Sequence, residues 1–150
     1  MDDKKQFIEE FALYFEQTGY PRMDGRILAW LFISDPPHQC FNDLVDVLQA
    51  SKSAISTSTR QLIRSGWIER ISFPGKRRDY YRLRPDFCRT SIDYFISRMD
   101  GLATLTGNGL ELFKDSPPER AGRLEEAHDI FSFVRDEMPK MLERWKKRYK

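Results

Sequence analysis

The spacing of apolar residues predicts three helices in the first 50 positions. Apolar side chains recur at intervals of three and four residues over 3–19 and 22–34, and they follow one side of the shorter segment 41–49. Gly19 ends the first segment and Pro36 lies just after the second, and both residue types interrupt helices. The chain is therefore expected to begin as a small helical domain.

Residues 51–65 combine a helical apolar spacing with a high density of hydroxyl groups. Six Ser and Thr residues fall within nine positions, although both are mediocre helix formers. At 100° per residue, Ile55, Thr59 and Leu62 share one face, and the opposite face is polar. With Ser51 as its N-cap and a tight junction before it, this segment is the predicted second helix of a helix-turn-helix.

A hairpin pattern follows this motif. Gly66 is the left-handed residue expected at the helix end, and WIERISF is rich in the aromatic and β-branched residues typical of a strand. In FPGK, Pro74 and Gly75 suit the second and third positions of a type II turn, and DYYRL provides the returning strand. A helix-turn-helix followed by a hairpin with a basic tip predicts a winged helix.

Two long helices are predicted in the last third of the chain. Between residues 85 and 106, apolar positions advance by four and three from Cys88 to Leu102, as in a helix that packs against a partner. SPPE then matches a capping box, with Ser116 as N-cap and Glu119 three residues later, so the second long helix is expected to start there.

These patterns predict a mainly α fold with a small β-hairpin wing (α+β), in which a winged helix-turn-helix is joined to long C-terminal dimerisation helices. Residues 1–84 are the expected DNA-binding domain, and residues 85–150 the expected helical dimerisation region. A homodimer built in this way would place two helices in successive major grooves about 34 Å apart.

Positive charge is concentrated in one segment of a nearly neutral chain. The net charge of the 150 residues is +2, but residues 51–84 contain nine Lys and Arg against two acidic residues, a net charge of +7. The rest of the chain carries −5. Such a concentration is the footprint of a surface that binds a polyanion.

The chain shows no pattern of a membrane or secreted protein. No run approaches the roughly 18 apolar residues of a membrane span, and the first residues are charged. We expect a cytoplasmic protein without a membrane partner. Cys40 and Cys88 form no CxxC pair and are expected to be buried reduced thiols.

Catalytic chemistry is not indicated. His38 is expected in a loop, and His128 lies on the apolar stripe of the last helix. No Ser-His-Asp spacing, metal-ligand cluster or phosphate-binding glycine loop occurs. The chain is therefore expected neither to be an enzyme nor to hold a metal or cofactor.

The hydroxyl-rich helix and the hairpin tip supply the candidate DNA-binding residues. Small hydroxyl groups allow a helix to approach the major groove closely, and Arg60 is long enough to read guanine. Like charges in a row on a hairpin repel one another, and bound phosphates would offset this repulsion. The candidates are Ser51, Lys52, Ser53, Ser56, Thr57, Arg60, Arg64, Lys76, Arg77, Arg78 and Tyr80. The alternatives are a solvated helix whose hydroxyls bond to its own backbone and a tip that serves solubility.

SAISTSTRQLIRSGWIER followed by FPGKRRDYYRL resembles the second half of a MarR-type winged helix-turn-helix, and GKRRDYY is similar to the wing of its GbsR-like branch. The positions that fit that branch are Ser56, Arg60, Leu62, Gly66, Gly75, Arg77, Asp79 and Tyr80. Thr57, Ser58 and Thr59 depart from its pattern. The resemblance implies a homodimeric repressor that binds double-stranded DNA; some such regulators are released by small ligands, including choline in the GbsR-like branch.

Two further interpretations stay open from the sequence. Trp30, Phe95 and Phe131 are candidates for lining a ligand pocket, since aromatic faces attract quaternary ammonium groups, but ordinary core and dimer packing is the favoured explanation. The alternative function is a winged helix that binds an acidic protein partner within a larger assembly. Binding to random duplex DNA at low salt distinguishes that alternative from a DNA-binding regulator.

Overall fold

A computed structural model describes residues 2–149 of the chain. It divides into two compact units between Thr90 and Ser91, which we call the N-terminal and C-terminal units. None of the helices in the described part of the chain has the length and hydropathy that a membrane span requires.

The N-terminal unit contains the predicted helices and hairpin. Its elements, in order, are α1 (Asp2–Gln17), α2 (Arg22–Ile33), β1 (His38–Cys40), α3 (Phe41–Leu48), α4 (Lys52–Arg64), β2 (Ile68–Ser72) and β3 (Asp79–Leu83). The three N-terminal helices, the helix-turn-helix formed by α3 and α4, and the hairpin of β2 and β3 are confirmed. The C-terminal unit is built from most of α5 (Phe87–Leu110) and all of α6 (Gly122–Arg148).

The sheet has a third strand that the sequence pattern did not predict. β3 lies between β1 and β2, and both pairings are antiparallel. His38, expected in a loop, is instead the first residue of β1 and pairs with Arg82. A strand of three residues that follows two prolines is too short for a period of two to be visible, so the pattern missed it.

The core of the N-terminal unit is formed by side chains from all its helices and from β2. Ile27 and Leu28 of α2, Leu44 of α3, Ile55 of α4 and Ile68 of β2 are almost completely buried. This shared core holds the helix-turn-helix and the sheet together as one structure.

The inward face of α4 agrees with the helical spacing and includes one further residue. Ile55, Thr59 and Leu62 are buried as predicted, and Ser58 is buried beside them. The Thr59 hydroxyl donates to the carbonyl oxygen of Ile55 at 2.8 Å, which satisfies its hydrogen bonding inside the core. Two of the hydroxyl groups therefore belong to the interior.

The last helix starts later than the capping box predicted. Pro118–Arg120 form a single 3-10 turn, and α6 begins at Gly122. Pro117 is extended, with φ of −53° and ψ of 138°, because a residue before proline is disfavoured in the helical region. The expected helix start at Ser116 and Pro117 was therefore wrong.

α5 is longer than predicted and runs through three glycines to Leu110, the last two of them Gly107 and Gly109. A Cβ atom at Gly107 would lie 3.1 Å from the ring of His128, and one at Gly109 would lie 3.3 Å from Leu124. Both glycines thus allow α6 to pack closely against the end of α5. Glycine lowers helix propensity, but the small size of these two residues serves packing.

The two cysteines differ from each other. Both are free, and Cys40 is buried as expected, but Cys88 is exposed in the first turn of α5. Among the apolar positions that advance from Cys88, Met99 is the first whose side chain is buried. The expectation of a buried thiol at Cys88 was wrong.

Candidate nucleic-acid interface

The first turn of α4 is exposed and is capped by a serine. The Ser51 hydroxyl accepts a hydrogen bond from the backbone N–H of Ala54 at 3.2 Å and lies 3.2 Å from the Ser53 hydroxyl. This confirms Ser51 as the N-cap. Ser51, Lys52 and Ser53 are all open to solvent at this end of the helix.

The outward face of α4 carries four more of the candidate residues. Thr57, Arg60 and Arg64 are exposed, and Ser56 is half-buried beside them. The Arg60 side chain folds back along the helix, where its Nε–H donates to the Ser56 carbonyl oxygen at 3.3 Å. The guanidinium therefore lies over the helix and would have to extend to reach a base edge.

The hairpin turn adopts the predicted conformation. Gly75 has φ of +77°, and the backbone N–H of Lys76 donates to the carbonyl oxygen of Phe73 at 3.1 Å, as in a type II turn. The wing tip, Lys76, Arg77 and Arg78, follows this turn and is exposed throughout. Three consecutive cations are thus presented at the end of the hairpin.

Three rings at the base of this hairpin form what we call the ring cluster. The His38 ring lies 4.7 Å from the Phe73 ring and 5.3 Å from the Tyr80 ring, and Phe73 and Tyr80 are 5.2 Å apart, measured between centroids. The Lys76 ammonium lies 5.6 Å from the Tyr80 ring centre. Tyr80 is half-buried in this cluster, so its ring packs at the base of the wing and supports it. Sequence reasoning missed the cluster because His38 was not expected in a strand.

The nine basic residues of segment 51–84 separate into two groups. Three of them have carboxylate partners, in the pairs Arg70–Asp79 at 3.5 Å, Arg82–Glu69 at 2.7 Å and Arg84–Asp86 at 3.1 Å. Arg84 also lowers the pKa of Asp86 through its hydrogen bond to that carboxyl. The other six have no ion-pair partner among residues 2–149: Lys52, Arg60, Arg64, Lys76, Arg77 and Arg78. All six are among the candidate DNA-binding residues, whereas none of the three paired arginines is.

Arg78 also faces the first helix of the helix-turn-helix. A shallow cavity of about 270 Å³ separates the wing from the start of α3, and Arg78, Tyr81 and Asn42 are among its lining residues. The pKa of Asp43 is lowered, first by hydrogen bonds from the Cys40 side chain and backbone and further by the charge of Arg78. Cys40 and Asp43 form a capping box for α3, in which the Cys40 N–H donates to Asp43 Oδ2 at 2.8 Å.

The candidate ligand-pocket residues belong to different units. Trp30, in the N-terminal unit, is half-buried, and its indole N–H donates to Gln39 Oε1 at 3.0 Å. Phe95 and Phe131 belong to the C-terminal unit, Phe95 exposed and Phe131 half-buried. No group of three or more potential metal ligands occurs within the described residues.

Comparison with known proteins gives similarity along the whole chain. A profile of MmpR5-like MarR family transcriptional regulators matches residues 94–148. The HTH-type transcriptional regulator MmpR5 of Mycobacterium tuberculosis (strain ATCC 25618 / H37Rv) is 37% identical over 146 residues, which cover 97% of this chain and 88% of that protein. The HTH-type transcriptional repressor OpcR of Bacillus subtilis (strain 168) is 26% identical over 92 residues, 61% of this chain and 49% of OpcR.

A solved structure is similar to this chain over the same share of its length. The crystal structure of a transcriptional regulator superposes with a TM-score of 0.81 at 36% identity, covering 97% of this chain and 99% of that one. The similarity therefore includes the winged helix and the two C-terminal helices together.

Proposed function

The chain belongs to the MarR family of winged-helix transcriptional regulators and is a DNA-binding regulator; we propose that it binds a duplex as a homodimer, reading bases with α4 and holding phosphates with the wing. The observation that carries this proposal is the charge separation within residues 51–84. Six exposed cations without carboxylate partners lie on α4 and the wing tip. Cations left unpaired in this way favour phosphate as the partner.

In this proposal α4 is the recognition helix. Ser53, Ser56 and Thr57 allow it to approach the groove floor, and Arg60 extends from its position over Ser56 to a guanine edge. Lys52 and Arg64, at the two ends of the helix, contact phosphates. Ser51 contributes through its cap, which orients the exposed N–H groups of the first turn toward the duplex.

The wing is proposed to grip the backbone beside the groove. Lys76, Arg77 and Arg78 contact phosphates or enter the adjacent minor groove. Tyr80 holds the hairpin through the ring cluster, which also fixes Lys76 by placing its ammonium over the tyrosine ring. The wing therefore supplies affinity, and α4 supplies sequence preference.

Residues 85–150 are proposed to form the dimer interface, with residues 1–84 as the DNA-binding domain. Several large apolar side chains of the C-terminal unit are exposed in the single chain, including Tyr94 at 68%, Leu105 at 67% and Phe133 at 61%. An apolar surface of this kind favours a second copy as its cover. A two-fold dimer would then read a pseudopalindromic site.

The direction of regulation and the effector are further parts of the proposal. OpcR is named a transcriptional repressor, which supports repression here. The wing sequence GKRRDYY favours a place near the GbsR-like branch, whereas the matching profile is described as MmpR5-like. Under the GbsR-like assignment a quaternary ammonium compound is the effector, and calorimetry with choline and glycine betaine tests this assignment.

Selection of duplexes from a random-sequence library, followed by anisotropy titration, tests DNA binding. We expect tighter binding to the enriched duplex than to random duplex of equal length, with both affinities falling steeply as salt rises. Sedimentation should give twice the chain mass. A chain that binds neither duplex at low salt contradicts the proposal and favours the protein-interaction alternative.

A further inference from the structure

One arginine connects three helices of the N-terminal unit. The Nε–H of Arg26 in α2 donates to Glu9 Oε1 of α1 at 2.9 Å, and its Nη2 donates to the backbone carbonyl oxygen of Leu48 at 2.9 Å. Its side chain is only 24% exposed. The Nε and Nη2 groups of the guanidinium therefore both donate to acceptors within the protein.

The carbonyl that Arg26 binds lies at a strained position of the chain. Leu48 is the last residue of α3, and the following Gln49 has φ of +50°, the left-handed region that favours glycine. The carbonyl groups of a final helical turn have no partner within their own helix. Ala50 N–H donates to the Val45 carbonyl at 3.2 Å, which leaves the Leu48 carbonyl to Arg26.

This strained residue belongs to the turn that joins α3 to α4. Only Ala50 and Ser51 separate Gln49 from Lys52, the first residue of α4, so the backbone direction at Gln49 sets the direction of the recognition helix. A charged donor at the Leu48 carbonyl stabilises this direction more than a neutral donor would.

We propose that Arg26 is a positioning residue for DNA recognition, which holds the helix-turn-helix turn through the Leu48 carbonyl and is itself anchored to α1 by Glu9. The inference rests on the proposed role of α4 as the reading helix. Arg26 does not contact DNA in this proposal, because its Nε and Nη2 groups already donate to Glu9 and Leu48. Its effect reaches the duplex through the orientation of α4.

Arg22 provides a matched control for Arg26. It lies one turn earlier in α2 and also binds Glu9, with Nη2 donating to Oε2 at 3.1 Å. Its side chain is 52% exposed, and its other partner is Glu16 rather than the turn. Arg22→Gln therefore removes one positive charge and one contact with Glu9, as Arg26→Gln does. It leaves the hydrogen bond to the Leu48 carbonyl in place.

The experiment compares full-length Arg26→Gln, Arg22→Gln and wild-type chains on the duplex enriched by the wild-type chain and on random duplex, over a range of salt concentrations. Circular dichroism verifies that each variant is folded. We expect Arg26→Gln to weaken binding to the enriched duplex roughly 3- to 30-fold, the range typical of a coupled position away from the ligand. Arg22→Gln should stay within about twofold, the size of an exposed ion-pair effect.

Salt dependence separates positioning from direct contact. The slope of log affinity against log salt should be unchanged in Arg26→Gln, whereas loss of a phosphate contact would reduce it by about 0.9. Gln49→Gly, which relieves the left-handed strain, should restore part of the lost affinity when it is combined with Arg26→Gln. Hydrogen exchange at the Gln49 and Ala50 amides should be faster in Arg26→Gln than in Arg22→Gln.

If Arg26→Gln does not fold, Arg26→Lys and Glu9→Gln replace it, since the first retains a charged donor and the second alters an exposed carboxylate. Intermediate losses of affinity at an unchanged salt slope support the inference. Equal affinities in the Arg26 and Arg22 variants, or a reduced slope for Arg26→Gln, overturn the inference alone. A wild-type chain that binds neither duplex overturns the proposed function as well.

Discussion

The Ser58 hydroxyl of α4 faces the Asp24 carboxyl of α2, and both residues are almost completely buried, at 4% and 1% exposure. Burial raises the pKa of Asp24 above its ordinary value, and the Ser58 hydroxyl offsets part of that effect. Asp24 Oδ1 has no hydrogen-bond partner among the residues that the structure describes. A carboxyl in this environment is stabilised in its protonated form.

Stability should therefore depend on the ionisation of Asp24. The folded chain holds this proton more tightly than the unfolded chain, whose carboxyl titrates near 3.8. The Asp24 contribution to the free energy of unfolding is complete below 3.8 and is lost as the pH rises through the higher folded pKa. Asp24→Asn stays neutral, so its stability relative to wild type should increase with pH across this interval and then level off.

Urea unfolding of the wild-type chain and Asp24→Asn at a series of pH values measures this difference. Ser58→Ala serves as the control, because removal of the hydroxyl that lowers the pKa should move the transition to higher pH. A stability difference that is independent of pH would show that Asp24 does not titrate differently in the folded chain.

Local patterns were sufficient where one residue determines the backbone. Gly66 and Gly75 both have positive φ values of +77°, as the helix end and the turn required. The strand Asp79–Leu83 matches its predicted limits, since turn residues bound it on one side and its composition is typical of a strand. The outward face of α4 followed from the angle between successive residues.

Features that depend on distant residues could not be predicted. β1 exists because β3 provides its hydrogen-bond partners, and the ring cluster depends on that pairing. The acidic partners of Arg70 and Arg82 lie on the opposite strand of the hairpin. A count of charges along the sequence therefore could not show that these two arginines are paired. Arg26 was not a candidate because its contacts join three separate helices.

Arg60 and Arg77 should affect DNA binding in different ways. Arg60→Ala removes the proposed base contact, so it should cost about 1–3 kcal/mol on the enriched duplex and relax sequence preference. Arg77→Ala removes a phosphate contact, so binding to all duplexes should weaken similarly and the salt slope should fall by about 0.9. Anisotropy titrations on enriched and random duplexes measure both effects, and identical behaviour of the two variants would contradict these roles.

The cap of α4 gives a stability prediction that is independent of DNA. Ser51→Ala removes the acceptor for the Ala54 N–H and should lower the free energy of unfolding by about 1 kcal/mol. Ser53→Ala is the matched control, because Ser53 is also exposed and its hydroxyl lies against the Ser51 hydroxyl. Its effect should lie within about 0.5 kcal/mol, as is usual for surface substitutions. Equal losses in the two variants would show that the cap is not what stabilises α4.

Gly25 permits the close approach of α1 and α2. A Cβ atom at this position would lie 2.8 Å from the Cα atom of Ala12 and 3.1 Å from the Phe11 carbonyl oxygen. Both neighbours are backbone atoms, so they cannot move aside by changing rotamer. The two helices would have to separate to accommodate a methyl group.

Gly25→Ala should therefore destabilise the chain although alanine is the better helix former. Overpacking of this kind costs about 1–3 kcal/mol, which exceeds the roughly 0.5–1 kcal/mol that alanine gains over glycine within a helix. Gly101→Ala in α5 is the control, because its added Cβ atom would meet none of the described residues within 4 Å outside its own stretch of helix. Urea unfolding should show a loss for Gly25→Ala and a gain for Gly101→Ala. Equal gains in both variants would mean that α1 can move away from α2 at little cost.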